Sequence, residues 1–184
     1  MPDSLISNSP LIASQRECAI INLRGDLQHE KFVQEVSAAI GVNLPAAGAI
    51  ATDGPKRVVW VGPDDCFVIA LPGSEAQIVA DLSALKANHH CAVTDVSGGY
   101  RLITLSGPQA RDILASGCPL DLHPDVFHPG MAAGSVFYQS TITLWMTDAE
   151  PRYELLVRRS FADYFWQILA AACRECGLQR QDTV

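Results

Sequence analysis

The chain has 184 residues, 48% of them hydrophobic and 18% charged, and its 20 acidic and 13 basic side chains give a formal net charge of −7. That composition belongs to a packed protein rather than a disordered one. The acidic excess, with no cluster of Lys and Arg, opposes nucleic acid as a partner. Apolar stretches such as 67–71 fall far short of the ~20 residues a membrane-spanning helix needs, so no membrane partner is expected either.

Residues 1–14 mix Ser, Asn and Pro with isolated apolar side chains and show no period, which predicts an extended N-terminal arm. Leu5, Ile6, Leu11 and Ile12 on that arm need another surface to cover them, which makes them candidates for contact with a partner chain. The same stretch lacks a basic region followed by a continuous apolar one, so it does not read as a secretory signal, and a cytoplasmic location is expected. The run 18–24 predicts a buried strand. Phe32, Val33, Val36 and Ile40 then share one helical face, closed by Gly41. The Ala-, Gly- and Pro-rich stretch 43–55 predicts a loop.

Residues 57–61 and 66–71 predict two strands joined by the turn Gly62-Pro63-Asp64-Asp65. A helix follows, with Ser74 and Gln77 spaced as a capping box and Ile78, Val79, Leu82 and Leu85 behind it. Strands are predicted at 91–96 and 102–105, with a break at Gly98-Gly99. A short helix follows, with Pro108 at its first position, Ala110, Ile113 and Leu114 on its apolar face and Gly117 at its end. Strands at 135–139, 141–147 and 152–157 complete the pattern. The last helix carries Phe161, Tyr164, Phe165, Ile168, Leu169 and Ala172 on one stripe, with Ser160 and Asp163 as its capping box. Trp166 falls off that stripe, which adds it to the candidate partner contacts.

Residues 58–87 and 142–172 both read as hairpin then helix. The expected fold class is therefore α+β, in two pseudo-related halves of mainly antiparallel sheet with packed helices. The boundaries implied are the arm 1–14, a first half 15–97, a second half 98–178 and a tail 179–184, all within one structural unit.

Motifs for chemistry are mostly missing. No two glycines stand two apart, so the G-x-G-x-x-G turn cannot form, and there is no P-loop, G-x-S-x-G elbow or H-E-x-x-H pair. Cys173-x-x-Cys176 lacks the two further ligands that zinc needs and lies at a helix end, where a thiolate is not favoured. The six cysteines read as reduced core residues. His89-His90 reads as a solvated helix end. His123 and His128 with Asp121 and Asp125 read as turn and cap residues, and Asp95 as a side chain bonded to the turn that follows it. No catalytic, cofactor-binding or metal-ligating residue is predicted.

The stretch Thr94-Asp-Val-Ser-Gly-Gly-Tyr-Arg-Leu-Ile-Thr-Leu-Ser-Gly-Pro-Gln-Ala-Arg-Asp-Ile-Leu114 resembles the segment shared by the folate-binding aminomethyltransferase-like superfamily. The stretches 117–124, 127–130 and 153–166, together with Ser9-Pro10-Leu11 and Trp60-Val-Gly-Pro-Asp64, resemble the sarcosine oxidase gamma subunit family more particularly. Ser97-Gly-Gly-Tyr100 departs from the family, which often has a His or another polar residue after the Ser. The resemblance implies an aminomethyltransferase folate-binding-domain-like fold and a non-catalytic subunit contributing assembly and stability. It would sit in a heterotetrameric complex that oxidises sarcosine to glycine, gives hydrogen peroxide and passes a one-carbon unit to tetrahydrofolate. It further implies direct packing on an alpha subunit, with beta and delta subunits in the same complex. FAD, FMN and NAD would be held by the partner subunits, with no cofactor in this chain. The competing reading is an independent folate-binding aminomethyltransferase-like protein. The residues name no acid to anchor its pterin, and Gly117-Cys118-Pro119 lacks the Lys-Gly-Cys-Tyr signature of the iron–sulfur assembly branch.

Overall fold

The computed structural model describes residues 4–6 and 12–175. The elements in chain order are β1 (Ser4–Ile6), β2 (Ile12–Arg16), β3 (Ala19–Arg24), α1 (Glu30–Ile40), β4 (Ile50–Asp53), β5 (Lys56–Gly62), β6 (Asp65–Ala70), α2 (Glu75–Ala84) and β7 (Ala92–Asp95). Then come β8 (Tyr100–Ser106), α3 (Ala110–Ala115), β9 (Ala132–Phe137), β10 (Ser140–Asp148), β11 (Arg152–Arg158) and α4 (Ala162–Glu175). The described residues divide into two compact units: Glu17–Gly98, and the strands before residue 17 together with the residues from Gly99 onward.

The first unit holds a five-stranded sheet in the order β4-β5-β6-β3-β7, antiparallel at every pairing. Alternation along its strands turns Ile21, Leu23, Val58, Cys66 and Val68 to one face. There they meet Phe32, Val36 and Ile40 of α1 and Ile78 and Leu82 of α2. The spacing of four along α1 is what brings its three large side chains onto one stripe. His29 caps that helix, its Nδ1 accepting from the Phe32 N–H, and Gly41 ends it at φ 73, with its own N–H donating to the Ser37 carbonyl. A left-handed residue is needed there, which is why glycine occupies it.

The second unit holds a six-stranded antiparallel sheet in the order β1-β2-β8-β11-β10-β9. Ile103, Leu105, Ile142, Leu144, Leu155 and Val157 face Ile113 and Leu114 of α3 and Phe165 and Leu169 of α4. Each large apolar side chain fully buried in this way contributes about 1.5–3 kcal/mol before entropy is counted. The reverse face of the sheet carries Leu102, Thr104, Trp145, Glu154 and Leu156, which are buried as well.

Both units repeat strand, helix, three strands, helix, in the same sheet order, so the fold is α+β with two pseudo-related halves. The extra strand beside β3 is β7, and beside β8 it is β2. β2 thus leads directly into one unit while pairing in the sheet of the other, and β7 does the reverse.

Several local expectations change. The segment 1–14, predicted as an extended arm, forms in its described parts a hairpin that continues the sheet beyond β8. Its backbone donors and acceptors are met by a partner strand about ninety residues away, which no local pattern reveals. β4 lies inside the expected loop 43–55; it is a short edge strand whose Ile50 and Ala51 are only half-buried, too brief to show alternation. The Ser74 capping box does not form. Ser74 has helical-region backbone, φ −93 and ψ −1, and its hydroxyl donates to the Leu71 carbonyl while Gln77 bonds Asp81. Pro108 precedes the N-cap of α3, which is Gln109. Ser160 lies inside a 3₁₀ turn, Arg159–Phe161, that leads into α4, and this tighter winding leaves Phe161 43% exposed rather than on the stripe.

Candidate functional site

The acids and histidines singled out from the sequence are occupied with holding the fold. Asp95 closes β7, and its Oδ1 accepts from the Ser97 N–H at 2.9 Å and from the Ser97 hydroxyl at 2.6 Å. Those two bonds, the hydroxyl first, lower its carboxyl against a smaller opposing effect of burial. A carboxylate stabilised in its charged form is a poor general base at neutral pH. The Ser97 oxygen also accepts from the Ile20 N–H at 2.9 Å, so the turn latches the end of β7 to β3.

His89 lies mostly buried after α2, its Nε2 2.8 Å from Oε2 of Glu35 on α1, and its ring tilts against Phe32 at 5.2 Å. The bond from His89 lowers the Glu35 carboxyl, with lesser help from the charges of His89 and of Lys31, whose Nζ is 3.7 Å away. His90 is exposed, so the two histidines do part company, as adjacent residues must. His89 itself braces α1 instead of lying in solvent, because the turn after α2 carries it back over Phe32. Asp121 accepts from the His123 N–H, His123 Nδ1 accepts from the Asp125 N–H, and His128 sits by the carbonyl of Pro129. Among the described residues no group of three or more His, Cys, Asp and Glu is placed to hold a metal. Cys173 is buried, and Cys176 lies outside the described residues. Burial drives the Cys66 thiol up to about 12, with the Asp65 charge adding, which keeps that sulfur protonated.

One carboxylate escaped the sequence reading. Glu154, in the middle of β11, has no exposed surface. Its Oε1 accepts from Arg16 Nη2 at 2.9 Å and its Oε2 from Trp145 Nε1 at 3.0 Å. A buried acid paired on both oxygens is an anchor, not a poised base. The available signal was an acid set between apolar neighbours in 153–157. Next to it Tyr153 is buried near Phe127, with ring centroids 6.4 Å apart, and burial raises its phenol against a lowering influence of Arg111.

Surface clefts among the described residues include two. One runs along the end of α1 past Val33, Ser37 and Leu44; the other is bounded by Ser106, Gly107, Pro108, Asp148, Glu150 and Arg152. The superfamily's folate would require a sheltered carboxylate against its pterin. The acids in these clefts are exposed Asp148 and Glu150, and Asp148 already accepts from the Glu150 N–H. These clefts do not fit that group. Of the candidate partner contacts, Leu5, Ile6 and Ile12 lie in the paired strands β1 and β2, and Leu11 is outside the described residues. Trp166 is half-buried against the core of its unit.

The model of the Sarcosine oxidase, gamma subunit family matches residues 24–175. The chain belongs to that family. Curated relatives include the sarcosine oxidase subunit gamma of Corynebacterium sp. (strain P-1), 31% identical, and that of Corynebacterium sp. (strain U-96), 34% identical, each over 70% of this chain. The chain spans 63% and 62% of those two relatives, less than two thirds of their length. A chain of the heterotetrameric sarcosine oxidase from Corynebacterium sp. U-96 superposes with a TM-score of 0.80 at 27% identity, covering 93% of this chain and 88% of that one. The aminomethyltransferase T of the glycine cleavage system from Bartonella henselae superposes with a TM-score of 0.62 at 16% identity. It covers 85% of this chain and 44% of the enzyme, and that likeness is one of fold. This chain thus has the aminomethyltransferase-like architecture that the sequence resemblance implied.

Proposed function

We propose that this chain is the gamma subunit of a heterotetrameric sarcosine oxidase, a non-catalytic chain that contributes assembly and stability. The observation that carries the reading is the superposition over 93% of the chain on a member of such a complex. No carboxylate or histidine described above is both sheltered and unpaired, which supports a structural part. On this reading the chain packs directly on an alpha subunit, with beta and delta subunits in the same complex. FAD, FMN and NAD belong to those partners, and tetrahydrofolate is a substrate of the whole complex. Leu5, Ile6, Leu11, Ile12 and Trp166 are proposed partner contacts, on the strength of their apolar character at the chain's start and off the α4 stripe. A cytoplasmic location accompanies the reading, in keeping with Cys66, Cys91 and Cys118, which form no disulfide.

Co-expression with tagged alpha, beta and delta chains tests it. The expected result is one co-eluting assembly with sarcosine-dependent peroxide formation, while the purified lone chain neither oxidises sarcosine nor carries flavin. Flavin retained by the lone chain, or failure to join the other chains, overturns the proposal. Calorimetric titration of the lone chain with tetrahydrofolate separates it from the aminomethyltransferase alternative, for which tight binding is required.

A further inference from the structure

The reverse face of the six-stranded sheet opens row by row toward one corner. Strand register aligns Thr104, Glu154, Trp145 and Ala132 across β8, β11, β10 and β9, and all four are buried. The next row, Leu102, Leu156, Thr143 and Gly134, is buried at its first two positions, half-buried at Thr143 and exposed at Gly134. A side chain built at Gly134 would meet no atom within 4 Å. In the third row Tyr100 pairs with Arg158 and Thr141 with Val136; Tyr100 is half-buried and the other three are exposed.

The corner is therefore an open stretch of sheet with one aliphatic side chain, Val136, 38% exposed; Tyr138, at the hairpin tip, packs its ring over Gly117 on the helix-bearing side. Its rim carries Arg158 and Arg159, both exposed and neither in an ion pair among the described residues. In a chain with 20 acids and 13 bases, two exposed arginines that make no ion pair among the described residues, beside an open corner of sheet, are matched to carboxylates of a partner. A sheet corner with only two cations on a chain of net charge −7 suits a protein surface better than a phosphate backbone or an anionic membrane.

We infer that this corner docks an acidic segment of a different subunit, one that sets carboxylates against Arg158 and Arg159 and small apolar side chains over Gly134 and Val136. The inference rests on the family reading above and assigns a surface to the assembly. It is tested with the full chain and the co-expressed alpha, beta and delta chains, measuring association by affinity capture and size exclusion at low and raised salt. Arg158→Glu combined with Arg159→Glu should weaken association about tenfold or more and reduce its salt dependence, as expected for charges at an interface. Val136→Asp should weaken it as well. Lys86→Glu, an exposed reversal in the other unit, should leave it unchanged, and thermal melting of the lone chain should be the same for all three variants. If the double reversal and Val136→Asp bind as the wild type does, the surface is wrong and the family reading stands. If the wild type joins none of the chains, the family reading fails and takes the surface with it. Binding of anionic vesicles or RNA by the wild type, lost in the double reversal, overturns the choice of a protein partner.

Discussion

Glu154 sits on a central strand with no exposed surface, and its two oxygens are reached by donors from two other strands, Arg16 on β2 and Trp145 on β10. Removing a donor to a buried charged acceptor costs about 1.5–3 kcal/mol. Arg16→Ala belongs at the low end, because the Arg16 side chain is 47% exposed and water can take its place. Trp145→Phe, inside the sheet, belongs at the high end, and both are read from urea midpoints at constant m. Asp95 makes a prediction in pH. Its folded carboxyl titrates below the ordinary 3.8, so it adds stability that is complete above that value and disappears as pH falls through the folded one. Glu35 is lowered too and works in the same direction. Ser97→Ala should return Asp95 toward its ordinary value in an NMR titration and shallow the acid limb of the stability curve. An Asp95 titration unchanged by the substitution would show that the hydroxyl bond is not the cause.

At the scale of elements, α1 and α4 were legible because a helical stripe is written entirely in local spacing, and Phe32, Val36 and Ile40 of one and Phe165, Leu169 and Ala172 of the other meet their sheets, while Val33 and Phe161 do not. Gly41 was legible as the end of α1, but helix starts were not, since whether Ser74 or Ser160 caps a helix depends on the approach of the preceding chain. Phe165→Ala should destabilise by about 3–5 kcal/mol, the usual loss for a fully buried aromatic, whereas Phe161→Ala should cost under about 0.5 kcal/mol as a surface change. Comparing the two by chemical denaturation checks which residue of the predicted stripe belongs to the core. Gly25 offers a second test of how closely α1 lies on its sheet. A Cβ there would fall 2.5 Å from Cζ of Phe32, a ring only 2% exposed with no room to withdraw. Gly25→Ala should therefore cost about 1–3 kcal/mol by overpacking, visible as a lowered melting temperature.

At the scale of the whole molecule, each sheet is completed by a strand whose chain neighbour lies in the other sheet. The hairpin β1-β2 covers one side of β8, a strand rich in Ile and Leu. Deleting residues 1–16 should uncover that edge and give concentration-dependent association on size exclusion, with loss of soluble yield. Deleting residues 1–11 keeps β2 and should leave behaviour close to that of the full chain. Equal behaviour of the two truncations would mean that β2 does not protect β8.

Periodicity, turn chemistry and composition were enough to establish an α+β chain of two similar halves, to place most helices and strands, and to exclude the familiar nucleotide and hydrolase motifs. Those signals are local: they depend on residues within a few turns or one hairpin of each other. Tertiary structure decided the rest. It set β2 beside β8 and β7 beside β3, made a strut of His89, buried Glu154 between Arg16 and Trp145, and left one corner of a sheet open beside two exposed arginines. Most of those contacts, such as Arg16 with Glu154 and Glu35 with His89, join residues far apart in the chain, where pairing is governed by register and burial, and neither is encoded in the spacing of neighbouring residues.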